Sequence, residues 1–206
     1  AGKRGPGAND HLAPTRDVTI SHCMMRRGHG AVVLGSEMSG DIRAVEISHC
    51  TFHATDRGLR LKTRRGRGGT IADVAMTEVD MEDVPTPLAV NAFYFCDPDG
   101  TDDWVQSRAP APVDYTTPTI RNITLSGVTA HRVSLAAAAI LGLPEAPVEG
   151  VCLRDFTVSY DPEAVAGVPL MALGVPPVRH AGVIAEHADV EGEVRANPSH
   201  EDAVSC

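Results

Sequence analysis

The chain has 206 residues, enough for one domain with a sizeable core. Its 43% hydrophobic content excludes a disordered chain, and its net charge of −9 argues against a general nucleic-acid binder, although a local cluster of cations would still suit a polyanion. Nineteen glycines and 15 prolines beside 4% aromatics favour many short strands joined by turns over long helices. The five cysteines (23, 50, 96, 152 and 206) form no CxxC, so neither a zinc ribbon nor a thioredoxin-like motif is present and no disulfide framework is implied. No apolar run reaches membrane-spanning length, no secretory leader is visible, and no cofactor or metal is expected. The compartment, cytoplasmic or secreted, stays open.

One pattern recurs along the chain. Val18-Thr19-Ile20-Ser21-His22-Cys23 returns as Val45-Glu46-Ile47-Ser48-His49-Cys50, then as Val74 to Val79, Ile123 to Val128, Val151 to Phe156 and, more weakly, Val183 to Ala188. Each copy is apolar at its first, third and sixth positions, with alternation that has the period of a strand. The copies start 27, 29, 49, 28 and 32 residues apart. A strand returning about every 28 residues, without an amphipathic helix between copies, predicts a parallel β-helix of about six coils spanning 1–206 as one all-β domain. The Ala-rich Leu135 to Leu141 is read as a second strand of a coil, because Ile140-Leu141-Gly142 echoes Val33-Leu34-Gly35. The long interval holds an inserted loop, about 95–117, carrying turn-forming dipeptides and the lone Trp104.

Counting from the first repeat position places residues on adjoining rungs. Leu34 and Leu61 share one offset and should be inward neighbours, and Cys23 and Cys50 should be stacked, buried and reduced. His29 and Asp56 share another offset, as do Glu37 and Arg64. Arg60 and Lys62 flank Leu61 and should therefore point outward. His29, Glu37, Asp56, Arg60, Lys62 and Arg64 thus fall on one surface, which also carries Gly28 and Gly30. Fixed cations on a rigid sheet suit carboxylates on a sugar polymer. A nucleic acid is disfavoured for want of aromatics, and no membrane partner is expected.

Gly28-His29-Gly30, Gly35-Ser36-Glu37-Met38-Ser39-Gly40, Arg60-Leu61-Lys62 and Asn91-Ala92-Phe93-Tyr94, in this order and spacing, resemble the polygalacturonase family of glycoside hydrolases, in its bacterial exo-acting branch. The resemblance implies a right-handed parallel β-helix that hydrolyses pectic galacturonate polymers or oligomers with inversion. It implies that His29 orients or tunes a catalytic aspartate and that Arg60 and Lys62 grip the uronate carboxylate. Tyr94 and Glu37 would contact sugar hydroxyls, with Gly28, Gly30, Asp56 and Arg64 completing the substrate-binding set. The family carries its catalytic aspartates in Asn-Thr-Asp and Asp-Asp motifs ahead of Gly-His-Gly, and neither occurs there in this sequence. Asn9-Asp10 is the nearest carboxylate-bearing alternative. The chain is therefore expected to be the C-terminal half of such an enzyme, lacking its N-terminal coils, inactive alone and able to self-associate through an uncapped N-terminal end. The alternative is a non-catalytic carbohydrate-binding or remnant β-helix protein.

Overall fold

The computed structural model describes residues 1–5, 8 and 12–196; Asn9, Asp10 and Cys206 lie outside them. Twelve strands build two parallel sheets. The larger sheet runs β1 (Thr15–Ser21), β4 (Ile42–Thr55), β6 (Thr70–Glu82), β8 (Thr119–Val133), β10 (Val148–Tyr160) and β12 (Ala188–Ala196), with β2 (Met24–Gly28) also paired to β4. The smaller runs β3 (Val32–Gly35), β5 (Leu59–Lys62), β7 (Leu88–Asn91), β9 (Ala136–Leu141) and β11 (Ala181–Glu186). Strands alternate between sheets along the chain, and every ladder pairs successive coils, which is a parallel β-helix.

The repeat sets the register. Val18, Val45, Val74, Ile123 and Val151 pair in one continuous row, and Ile20, Ile47, Met76, Leu125 and Leu153 in another. Leu34, Leu61, Val90 and Ile140 form the matching row of the smaller sheet, all buried, as expected for the first two. These rows face each other in a single core, and hydrophobic burial of this kind is the dominant stabilising term.

Coil corners also come from the repeat. The residue before each first position, Asp17, Ala44, Asp73 or Asn122, has φ of 57, 53, 58 and 56°, and Gly150 takes the same place at 63°. Asp, Asn and Gly tolerate the left-handed region best. Stacking supports these corners, since Asn122 Nδ2 donates to Asp73 Oδ1 at 2.9 Å. A second row of bends carries His22 and His49 (φ 54 and 53°), whose rings stack 5.0 Å apart.

Three expectations need correction. The sixth repeat does not start at Val183, because β11 belongs to the smaller sheet; Val190 is the residue that pairs with Val151. Gly192 replaces the third apolar residue of that rung, which hid it from the pattern. The Ile140 echo is one residue out, because Ile140 rather than Leu141 stacks in the Leu34 row. Cys50 is buried, but Cys23 is exposed and its thiol donates to Ser21 O, because β1 and β2 form the sheet edge among the described residues. Cys23, Cys50, Cys96 and Cys152 are all free thiols.

Candidate functional site: a cation and aromatic cluster on the smaller sheet

The outward positions of β5 carry Arg60 and Lys62, alternating with buried Leu59 and Leu61. Val33 and Gly35 lie on one side of them in register, and Ala89 and Asn91 on the other. Small residues there leave the two cations standing above their neighbours. Tyr94 comes to meet them. Asn91 Oδ1 accepts from Phe93 N at 2.8 Å, turning the chain at the end of β7, and Tyr94 N donates to Thr63 O at 3.0 Å. Lys62 Nζ then sits 4.7 Å from the Tyr94 ring centroid and the Arg60 guanidinium 5.6 Å from it, both within cation–π range.

The two cations are not equivalent. Lys62 is half-buried, whereas Arg60 is only 6% exposed. Arg60 Nη1 donates to His29 O at 2.8 Å and Nη2 lies 2.9 Å from Met171 Sδ. Residues 161–180 cause this burial. They leave β10 and cross back over the outward face of the smaller sheet, packing Leu170 and Ala172 on Ala89, Ala139 and Leu141. Arg57 holds this strap by donating to Pro169 O at 2.8 Å and Val168 O at 3.1 Å, and Asn91 Nδ2 donates to Met171 O at 3.0 Å. Burial pushes the Lys62 ammonium below its ordinary value, and the neighbouring Arg60 charge pushes it the same way. An anion beside Lys62 would relieve both effects.

His29 and Asp56 meet as their shared offset requires. Nδ1 of His29 lies 3.0 Å from Asp56 Oδ2, and Asp56 also pairs with Arg57 at 2.8 Å. The His29 side chain is 65% exposed. Gly30 explains one glycine of the motif: its φ is +150°, and a Cβ there would lie 2.6 Å from Val33 Cγ2 and 3.7 Å from the Arg60 stem. The conflict is with Val33; the Arg60 stem stands at ordinary contact distance. Gly28, at φ +127°, accepts from Asp56 N at 2.8 Å.

Arg64 belongs elsewhere. Its side chain is 1% exposed and forms two parallel bonds to Asp99, at 2.6 and 2.7 Å, with the Trp104 ring 5.1 Å away. Pairing in the smaller sheet stops at Gly35 and Lys62, so the offset rule no longer governs Arg64. Arg65 is likewise buried against Glu145, and Arg67 against Asp97, which also takes a bond from Lys3 at 2.6 Å. The basic run therefore divides at Lys62: its first part faces the candidate cleft, and its second part clamps the connection between β7 and β8. That connection contains the single-turn helix α1 (Asp103–Gln106). Glu37 is exposed and makes no ion pair among the described residues; Met38 beside it is a buried core plug.

Sequence reasoning did not find the strap, the turn made by Asn91, or the acidic partners of the arginines. Asp97, Asp99 and Glu145 matched the arginines in number and sign, but only the fold pairs them.

Sequence comparison adds family membership to this geometry. The model of "Glycosyl hydrolases family 28" matches residues 11–169, more than half of the chain. The chain belongs to glycosyl hydrolase family 28. It is 29% identical over 146 residues to a probable polygalacturonase of Vitis vinifera, covering 70% of this chain and 28% of that protein. It is 27% identical over 117 residues to an exo-poly-alpha-D-galacturonosidase of Dickeya chrysanthemi, covering 56% of this chain and 19% of that one. The chain thus spans less than a third of the length of these relatives. Among solved structures it superimposes on a hyperthermoactive exopolygalacturonase from Thermotoga maritima with a TM-score of 0.68 at 21% identity, covering 89% of this chain and 35% of that one. At that identity the likeness speaks for the fold, which in this family 28 chain is the parallel β-helix expected from the repeat, with the right hand that the family resemblance implied.

Proposed function

We propose that this family 28 chain forms the uronate-gripping wall of a polygalacturonase cleft, and that the complete protein hydrolyses glycosidic bonds in pectic galacturonate polymers or oligomers with inversion. The observation that carries the reading is the Lys62 ammonium, half-buried over Tyr94 with the Arg60 guanidinium behind it. Lys62 meets the carboxylate of a bound galacturonate. Arg60, occupied by His29 O, adds positive charge and fixes the His29 loop. Tyr94 packs against the sugar, and Glu37 reaches a hydroxyl from the rim.

His29 is the catalytic contributor on this wall. Asp56 on Nδ1 fixes the ring, which leaves Nε2 for a carboxylate whose orientation and proton affinity it tunes. Inverting hydrolysis needs an acid and a base carboxylate about 6.5–9.5 Å apart, with a water between base and sugar. The family's aspartate motifs are not present ahead of Gly28, so the acid and base are assigned to residues beyond this sequence.

Titrating an oligogalacturonate into the 206-residue chain tests the reading. Binding should be weak and salt-sensitive, and Lys62→Ala should remove about 1 kcal/mol of it, less than a buried charge-assisted contact contributes because the ammonium is partly exposed. A reducing-sugar assay should find little hydrolysis. Binding indifferent to Lys62→Ala would refute the cleft, and rapid hydrolysis would place the carboxylate pair inside this chain.

A further inference from the structure

The backbone around His29 is fixed by the neighbouring coil. Gly28 O accepts from Asp56 N at 2.8 Å, Ala31 N donates to Arg57 O at 2.9 Å, and His29 O accepts from Arg60 Nη1 at 2.8 Å. None of these bonds sets the imidazole, which is largely exposed and free to turn about its side-chain torsions. Asp56 sets it, through the 3.0 Å approach of Oδ2 to Nδ1. The Asp56 side chain is itself 40% exposed, and a surface carboxylate gives up conformational entropy to hold one orientation. It needs a second contact.

Arg57 supplies that contact. Its Nη1 donates to Asp56 Oδ1 at 2.8 Å and to Asp56 O at 2.6 Å, so one carboxylate oxygen is pinned while the other faces His29. The rest of the guanidinium belongs to the strap, with Nε donating to Pro169 O and Nη2 to Val168 O. Gly167 and Val178 close the strap just before these carbonyls with paired backbone bonds of 3.0 and 2.9 Å. Arg57 is only 7% exposed, so it has little freedom of its own. A planar fork with donors on three nitrogens can serve a carboxylate on one side and two carbonyls on the other, which a lysine ammonium cannot. Strap residues more than 100 positions away thus bear on His29 through one side chain.

We propose that Arg57 is a positioning residue for His29: seated by the strap, it orients the Asp56 carboxylate, which in turn fixes the neutral imidazole as its Nδ1–H tautomer. A carboxylate only accepts, so the nitrogen facing it carries the proton. The ring then offers Nε2 as an acceptor, and a carboxyl group that meets it in the complete protein brings the proton. The proposal rests on the reading of His29 as the catalytic contributor of this wall, but its test needs neither ligand nor turnover.

Nitrogen NMR of the 206-residue chain, labelled at histidine and held above the titration range of imidazole, reads the two ring nitrogens separately, and His29→Gln identifies the His29 signals. The Nδ1–H form should predominate in the unaltered chain. In Arg57→Met, which keeps the stem and removes the fork, the ratio of Nδ1–H to Nε2–H should fall about threefold or more, the scale of a contact between partly exposed groups. Arg57→Lys keeps a cation beside Asp56 but serves one side only, so its ratio should fall less, and it carries the comparison if Arg57→Met does not fold. Asp99→Asn loosens the other loop and should leave the ratio unchanged, which separates positioning from a general loss of stability. Predominance of Nε2–H in the unaltered chain would overturn the proposal without any variant. An unchanged ratio in the folded Arg57 variants, or an equal fall in Asp99→Asn, would also overturn it. Oligogalacturonate binding indifferent to Lys62→Ala, with these ratios as expected, would fault the cleft and leave the positioning of His29 standing.

Discussion

Replacing Asp99 by Asn tests whether the second half of the basic run is a clamp. The Arg64 side chain is 1% exposed, and Asp99 supplies both of its short carboxylate bonds. The amide keeps the shape but removes the charge, leaving a buried guanidinium with the Arg65 and Cys96 carbonyls and a longer 3.5 Å approach to Asp97. Removing one partner of a buried ion pair costs about 3–5 kcal/mol. Partial access at Asp99 and the remaining bonds bring the expectation to about 2–3 kcal/mol, a drop in Tm of roughly 4–12 °C for a chain this long. Trp104 is the lone tryptophan and lies over Arg64, so its fluorescence reports on the clamped loop, while far-UV circular dichroism reports on the strands. In Asp99→Asn the fluorescence transition should move to lower denaturant and precede the strand transition. The double variant Arg64→Met, Asp99→Asn should recover much of the loss, because no charge is then stranded. A change below about 0.5 kcal/mol in Asp99→Asn, with coincident transitions, would refute the clamp.

Acid should release the same loop. Arg64 bonds hold Asp99 below the usual carboxylate range; burial alone would raise Asp97 and Glu145, but Lys3 and Arg67 for the first and Arg65 for the second bring them below it. Depressed carboxylates stabilise fully above their unfolded values and lose that contribution as pH falls through the folded ones, so Trp104 fluorescence should hold down to about pH 4 and change below it; a change centred near pH 6 would contradict this. Gly30→Ala should cost about 1–3 kcal/mol, because a side chain is strained at φ +150° and the new Cβ meets Val33 Cγ2 at 2.6 Å; an unchanged melting curve would contradict that. β1 and β2, the sheet edge among the described residues, leave Met24 exposed and Val18 and Ile20 half-covered, so the 206-residue chain should associate in sedimentation velocity, and a monodisperse monomer at micromolar concentration would contradict it.

The ladders were legible because a β-helix writes its register into spacing: Val18, Val45 and Val74 stack because each coil returns to the same place. The rule held through the first coils, which is why His29 and Asp56 met and Leu34 stacked on Leu61, and it slipped by one residue at β9, where Ile140 rather than Leu141 stacks on Val90. It lost force at Arg64, one residue past the last interstrand bond at Thr63, and at Val190, where Gly192 breaks the apolar alternation. Exposure was less legible than register. Arg60 points outward as predicted, yet residues from more than 100 positions away cover it. No local pattern in 161–180 announces that it folds back over the sheet.

The central claim is that Lys62, backed by Arg60 and Tyr94, receives a uronate carboxylate. The most direct test is NMR of the Lys62 ammonium during addition of oligogalacturonate. A bound carboxylate should raise the Lys62 pKa from its lowered free value, with perturbations confined to Lys62, Arg60, Tyr94 and His29 and absent for an uncharged oligogalactoside. An unchanged Lys62 titration while oligogalacturonate binds, with perturbations centred elsewhere, would contradict the account.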